Sequence, residues 1–294
     1  MGYKGPISQR QRRFGEELQH LRTAAGLSSA DAGALVGMKV PAVSHTEAGR
    51  ITLNPERLEV WLDAYGCTDP VYRAGLTEMG RSSGKGWWSE FEGKVPALAL
   101  DLAEAEDRAQ TFSVFDTLHI PGSLQVPGYI EAIYKDAYQD GRWDTATAVQ
   151  FRLQRQRVLT DSRRQFRFVI HEAALRMRFA GKSVMHEQLL HLVDMAELPN
   201  VTIEIIPFDA PKKVPYTGAF LICDPGCTAL STIILDGPKR AIHLGDPSDV
   251  VAYHQKFREA CDLSLPAVDA SKPRRDSSRD SWGLLQHLVY QLQT

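Results

Sequence analysis

The segment Ser28-Ser-Ala-Asp31-Ala-Gly33-Ala-Leu-Val-Gly37-Met-Lys39-Val-Pro41-Ala-Val-Ser-His45-Thr-Glu-Ala-Gly49 spells two short helices joined by a tight corner. Ser28 with Asp31 three residues on makes a capping-box-like start: the hydroxyl bonds a free amide of the first turn and the acid faces the positive helix end. Ala32, Leu35 and Val36 supply an apolar face, Gly33 has no Cβ where a neighbouring helix must come close, and Gly37 suits a left-handed stop. After Met38 and Lys39 a new helix can begin, because Pro41 fits a first turn, Val43 faces inward and Gly49 ends it. A helix, a glycine corner and a second short helix is the unit that lays its second member in the DNA major groove.

Upstream, Phe14, Leu18 and Leu21 recur at helical spacing, so a helix is expected over Gln9 to Ala25, ended by Gly26. Downstream, Asn54-Pro55 caps a helix that buries Leu58, Trp61, Leu62 and Tyr65, and Pro70 to Met79 supplies a fifth. The expectation is an all-α helix-turn-helix domain of five helices over residues 1–80, then a glycine- and serine-rich joint over 81–86. Up to Arg50 the chain carries seven Lys or Arg against four acids, a mildly basic start to a chain whose formal net charge is only -2. Bulk charge therefore does not bind nucleic acid here, and any such binding must come from a local face.

Beyond Trp87 helical and β-rich stretches alternate. Helices are expected near Pro96 to Ala109, Gly128 to Tyr138, Thr145 to Ser162, Ser183 to Glu197 and Asp246 to Asp262. Strands are expected over Phe112 to Ile120, Phe166 to Ile170, Val201 to Pro207, Gly218 to Cys223 and Ser231 to Leu235. Consecutive strands late in the chain favour a mixed α+β domain over 87–268 with an antiparallel portion, rather than a doubly wound sheet. The charged, Ser-rich stretch 269–280 reads as a mobile linker. A terminal amphipathic helix over 281–294 carries an apolar stripe of Trp282, Leu285, Leu288, Val289 and Leu292, which must dock on its own domain, a sister subunit or a partner.

With 294 residues, 43% of them apolar and 24% charged, the chain is long enough for two cored domains. No apolar run approaches the roughly 20 residues that cross a bilayer, and the first residues lack a signal peptide, so a cytoplasmic protein is expected. The four cysteines show no paired CxxC spacing, which points away from a disulfide framework and a zinc ribbon. In His186-Glu-Gln-Leu-Leu-His191 the histidines are five apart, about 140° out of line on a helix, so the zinc-helix pattern fails and no metal is expected. Cys223 and Cys227 bracket a turn, Asp224-Pro-Gly226, and read as incidental thiols. Neither a phosphate-binding glycine loop nor a GxSxG elbow occurs, so no catalytic residue, no cofactor and no enzyme activity is expected. Residues 142–182 hold ten basic side chains against three acids. Arg152, Arg155 and Arg163 could meet an anion or partner there, or pair with acids such as Glu104, Glu106 and Asp107.

The run Phe14-Gly-Glu-Glu-Leu-Gln-His-Leu-Arg-Thr-Ala-Ala-Gly-Leu-Ser-Ser-Ala-Asp31, with Gly37 and Val43-Ser-His-Thr-Glu-Ala-Gly-Arg50, resembles the lambda-repressor-like (XRE) helix-turn-helix family. That resemblance implies that Val40, Pro41, Ala42, Ser44 and His45 face the groove. Ser29, Lys39, Arg50 and also Arg22 would then hold the DNA backbone. The usual polar readers are replaced here by Val40, Pro41 and Ala42, and Thr46 stands where the family has an apolar residue. Farther on, Leu118-His-Ile-Pro-Gly-Ser-Leu-Gln-Val-Pro-Gly-Tyr-Ile130, Arg152-Leu-Gln-Arg-Gln-Arg157, His171-Glu-Ala-Ala-Leu-Arg176, Val184-Met-His-Glu-Gln-Leu189, Val201-Thr-Ile-Glu-Ile-Ile-Pro-Phe208 and Phe257-Arg258 resemble one particular group. It is the actinobacterial XRE regulators with a long C-terminal domain of unknown function, including WhiJ-like developmental and antitoxin-like members. That resemblance implies a small partner protein encoded alongside and a role in development or antibiotic production.

The expectation is a sequence-specific regulator of transcription that binds double-stranded DNA as a homodimer, because one short recognition helix with few polar readers falls short of specific-site affinity. Its C-terminal domain would dimerise and respond to a small protein or ligand. The alternative is an antitoxin-like protein-binding module whose DNA binding is secondary or lost.

Overall fold

Side chains set the starts of four of the five N-terminal helices. Ser8 caps α1 (Gln9–Ala24) in a capping box with Gln11, Ser28 caps α2 (Ser29–Val36) in another with Asp31, Asn54 caps α4 (Pro55–Ala64) and Asp69 caps α5 (Pro70–Arg81). The remaining helix, α3 (Val40–Glu47), has no side-chain cap at Lys39 and starts instead on a proline in its first turn. Gly37 ends α2 in the left-handed region, φ 66°, as its position required. The fifth helix runs two residues past the expected Met79, so Arg81 belongs to it rather than to the joint.

The computed structural model describes residues 7–137, 144–214, 218–236, 241–269 and 279–293. The chain divides into two units: the residues up to Ser89 together with Pro225–Ser231, and Glu90–Asp224 together with the residues from Thr232 on. Phe14, Leu18, Ala32, Val43, Leu58, Trp61, Leu62 and Leu76 form the core of the first, joined by Cys227 and Leu230. Its own sequence does not announce this last pair, which comes from far along the chain. Two glycines set the helix spacing. A Cβ on Gly15 of α1 would lie 2.2 Å from the carbonyl oxygen of Glu47, and one on Gly33 would lie 2.3 Å from that of Met38. Trp61 Nε1 donates to the Ala32 carbonyl at 2.8 Å and fixes α4 beneath α2.

The second unit is built on six described strands in the order β3-β2-β1-β4-β5-β6. They are β1 (Thr111–Asp116), β2 (Gln165–His171), β3 (Val201–Ile206), β4 (Phe220–Asp224), β5 (Thr232–Leu235) and β6 (Ile242–Leu244). The first three are mutually parallel, and β4 to β6 extend the sheet antiparallel, which is the mixed α+β architecture expected. Alternation along the strands separates two apolar faces. Phe112, Val114, Phe166, Phe168, Ile203 and Ile205 look one way, under α10 (Lys182–Ala196) and α12 (Ser281–Gln293). Phe115, Val169, Ile206, Phe220, Ile222 and Ile233 look the other way, under α11 (Pro247–Leu263).

Between β1 and β2 run α7 (Pro127–Ala137) and α8 (Thr145–Gln156), and α6 (Ala97–Arg108) precedes β1. The helix expected to reach Ser162 tightens to a 3-10 turn at Arg157–Thr160. The terminal helix answers its three options by docking on its own unit, with Leu284, Leu285, Leu288 and Leu292 buried and Ser281 Oγ accepting the Ile205 amide at 3.0 Å. Most of the stretch 269–280 lies outside the described residues. The short strand β6 has no counterpart among the expected elements.

A buried Arg–Glu contact ties α6 to α8: Arg155 Nε lies 2.8 Å from Glu106 Oε2, and both side chains are almost fully enclosed. Burial pushes the Glu106 carboxyl up to about 7, against the pull of Arg155 and Arg152.

Two outcomes are expected. Gly15→Ala forces α1 and α3 apart at a backbone oxygen, and urea unfolding should show a loss of about 1 to 3 kcal/mol. Because the native state keeps a proton on Glu106 that the unfolded chain releases above its ordinary 4.5, stability should fall as pH rises from there to about 7 and level off beyond. At about 1.4 kcal/mol per unit the span is about 3 kcal/mol. Chemical unfolding at a series of pH values should show this slope in the native protein and its loss in Glu106→Gln.

Candidate nucleic-acid interface

The sequence of α3 divides its surface cleanly. Val43, Thr46 and Glu47 are buried, whereas Val40, Pro41, Ser44 and His45 are exposed and Ala42 is half-buried. The spacing that turns the first set inward turns the second outward on one continuous stripe. All five side chains expected at the groove thus sit on the free surface of α3 or at its edge. Lys39 and Arg50 are exposed at its two ends, and Ser29 is half-buried in the first turn of α2.

Thr46 sits wholly buried where an apolar residue would be ordinary, and its hydroxyl is satisfied within the helix by donating to the Ala42 carbonyl at 2.9 Å. The methyl group then packs like that of a valine, so the departure costs the fold little.

Arg22 does not stand where a phosphate could reach it. Its guanidinium is buried and spent: Nε donates to Glu47 Oε1 at 2.6 Å, Nη2 to Oε2 at 3.1 Å and Nη1 to the Leu27 carbonyl at 2.7 Å. The Glu47 bonds hold the Arg22 charge more firmly than usual, against the cost of burial. The expected backbone contact at Arg22 is therefore corrected to a clamp that fixes the last turn of α3 and the α1–α2 corner together.

Arg12 was overlooked. It is exposed on α1, and Gly49 packs directly against the Gln11–Arg12 backbone, which brings this turn of α1 to the end of α3. An amphipathic count cannot distinguish it from Arg13, which turns inward onto Glu17. Lys39 and Arg50 thus bracket the exposed stripe with positive charge, with Arg12 exposed on the neighbouring turn of α1, the arrangement that positions a helix by phosphate contacts while the stripe meets base edges.

Arg152 and Arg155 come together beside Gly122, where a Cβ would lie 2.6 Å from Arg155 Nη2 and 3.9 Å from the Arg152 guanidinium carbon, whereas Arg163 stands apart. Arg155 is enclosed with Glu106. Arg152, on the same helix, donates to Gln125 Oε1 at 2.6 Å and lies over the Tyr134 ring at 4.7 Å. Arg163 sits on the following turn with both contacts to Asp161 at 2.9 Å. For Arg155 the pairing option, with Glu106 as partner, is the one realised, although inside the unit rather than on a solvated face.

His171 and the two thiols that bracket the Asp224–Gly226 turn are accounted for by structure. His171 caps the short helix α9 (Glu172–Arg176), its Nδ1 accepting the Ala173 amide at 3.2 Å. Cys223 is buried in the sheet and its thiol is pushed well up by burial, while Cys227 lies in the core of the first unit. Among the described residues no three His, Cys, Asp or Glu side chains are grouped to hold a metal. No described helix is long and apolar enough to cross a membrane.

Two known families match the chain. Residues 13–75 match the family described as "Helix-turn-helix domain", from within α1 to within α5 and including the exposed stripe of α3. Residues 99–272 match the family described as "Domain of unknown function (DUF5753)", which takes in the whole sheet. No curated protein and no solved structure matches the chain. With more than half of its length inside that second match, the chain belongs to the DUF5753 family and carries a helix-turn-helix domain of the DNA-binding kind in front of it.

Proposed function

We propose that the protein is a cytoplasmic regulator of transcription that binds a preferred double-stranded DNA sequence as a homodimer, and that its C-terminal unit adjusts this binding when it engages a small protein or ligand. The observation that carries the proposal is the outward stripe of α3, with Ser44 and His45 free to reach base edges and Arg12, Lys39 and Arg50 around it. The Arg22–Glu47 clamp and the Gly15 contact hold that stripe in a fixed attitude, so little ordering remains to be done on binding. Val40, Pro41 and Ala42 offer apolar contact to thymine methyl groups rather than bidentate hydrogen bonds. Weak readout per helix is the argument for pairing two heads on a palindromic site. No reaction is assigned to the chain. The resemblance to WhiJ-like actinobacterial regulators supports a role in development, with a partner encoded alongside.

The rival reading, an antitoxin-like module with DNA binding secondary, draws on the same three apolar residues, since they suit a protein groove as well as a DNA one.

Binding of the full chain to its own upstream region across a salt series separates the two. His45→Ala should lower affinity for the preferred site by about 1 to 3 kcal/mol and leave binding to random duplex unchanged. Lys39→Ala and Arg50→Ala should each weaken both kinds of binding and reduce the salt slope by about one. Equal affinity for the upstream region and random duplex, with and without a partner present, would sink the regulator and leave the protein-binding module.

A further inference from the structure

Three parallel strands must all end at the same edge of the sheet, so the segments that follow β1, β2 and β3 are neighbours there by topology. Those segments carry four large apolar side chains in solvent: Leu118 at 51% exposure, Met177 at 37%, Phe179 at 49% and Phe208 at 60%. They are not scattered. The ring of Phe179 lies edge-on to His119 at 5.9 Å and to Tyr129 at 5.1 Å, which links the segment after β1 to the one after β2. Phe208 lies edge-on to His171 at 5.3 Å and under the Arg176 guanidinium at 6.0 Å, which links the segment after β2 to the one after β3. Two exposed aromatic clusters on neighbouring segments at one end of the sheet are the kind of apolar surface that marks an interaction site.

Charge around the patch selects the occupant. The segments 172–182 and 207–214 hold five basic residues, Arg176, Arg178, Lys182, Lys212 and Lys213, against Glu172 and Asp209. Both acids are already engaged: Glu172 is buried, pairing with Arg176 at 2.6 Å and accepting the Phe208 amide at 2.9 Å, and Asp209 pairs with Arg279. With Arg176 cancelled by Glu172, the charge of Arg178, Lys182 and Lys212 keeps these segments net positive around an apolar, aromatic centre. Duplex DNA would use such cations but would leave the four apolar side chains facing phosphate and water.

We propose that this edge of the sheet, centred on Phe179 and Phe208, is the docking surface for a segment of another protein that presents aliphatic or aromatic side chains among Asp and Glu. The proposal specifies the partner-response half of the function above and is independent of the reading of α3. Phe179 and Phe208 insert between apolar side chains of the partner, and the basic rim steers and orients its acids.

The test is selection of a random linear peptide library displayed on phage against the full chain, with a Phe179→Ser/Phe208→Ser protein as counter-target. Thermal unfolding and binding of the upstream DNA serve as controls that the variant is folded. The expected result is enrichment of peptides rich in Asp, Glu and large apolar residues. Their affinity should fall at least about tenfold in the double variant and in Arg178→Glu/Lys212→Glu, and recover in Phe179→Tyr. Selection that yields no peptide sensitive to Phe179 and Phe208, or only basic ones, overturns the proposal. So does a loss of self-association by sedimentation in the double variant, which would assign the patch to a second copy of this chain. Weaker binding to random duplex in Arg178→Glu/Lys212→Glu would overturn it in favour of nucleic acid. A failed upstream-DNA experiment with successful selection would reject the regulator and keep this surface, and the reverse pattern would do the opposite.

Discussion

The attitude of α3 depends on one buried carboxylate. Glu47 holds the guanidinium of Arg22 on two oxygens while its own backbone oxygen rests against Gly15. Enclosing an ion pair gives back in attraction about what desolvation costs, so the pair adds little net stability. Its worth is directional: a two-point contact at one end of a two-turn helix removes the rotation that loose apolar packing would permit. Removing either partner leaves the other charged and enclosed, which is why neither can be lost alone. The outward stripe from Val40 to His45 is therefore set from behind, by residues that never reach the surface.

In the second unit the corresponding constraint is the join between parallel and antiparallel pairing at β1. Its two neighbours run in opposite senses, and from the end where β1, β2 and β3 finish the chain continues to α7, into α9 and back to β4. Leu118, Phe179 and Phe208 all lie on the segments that follow these three strands. The two faces of the sheet are meanwhile filled by α10, α11 and α12.

Much of the first unit was legible in the sequence because its signals are local. Ser28, Asp31, Gly37, Pro41 and Asn54 act within one turn of where they stand, and each did what its chemistry implies. Thr46 was legible as odd, but not as harmless, since only the helix itself supplies the carbonyl that satisfies it. Arg22 was misplaced because a basic residue on a basic face looks like a phosphate contact until its distant partner, Glu47, is known. Arg155 and Glu106 lie on different helices and illustrate the same limit: a run of positive charge does not disclose which of its members are enclosed. β6 escaped because Ile242-His-Leu244 is too short to show alternation and is only half covered. The patch at Phe179 and Phe208 left no pattern at all, since three segments far apart in the chain compose it.

The first unit counts Pro225–Ser231 among its own residues, with Leu230 against Gly75 and in one core with Leu76. The head is thus not a continuous piece of chain that can be lifted out and fused elsewhere. Cutting after Ser89 would bare the apolar floor that Leu230 covers, and a transplanted head would carry an exposed seat in place of a core. Recombination that shuffles such domains between genes must therefore move both segments together or supply a substitute for the second, which binds the inheritance of the DNA-contacting half to that of the DUF5753 sheet.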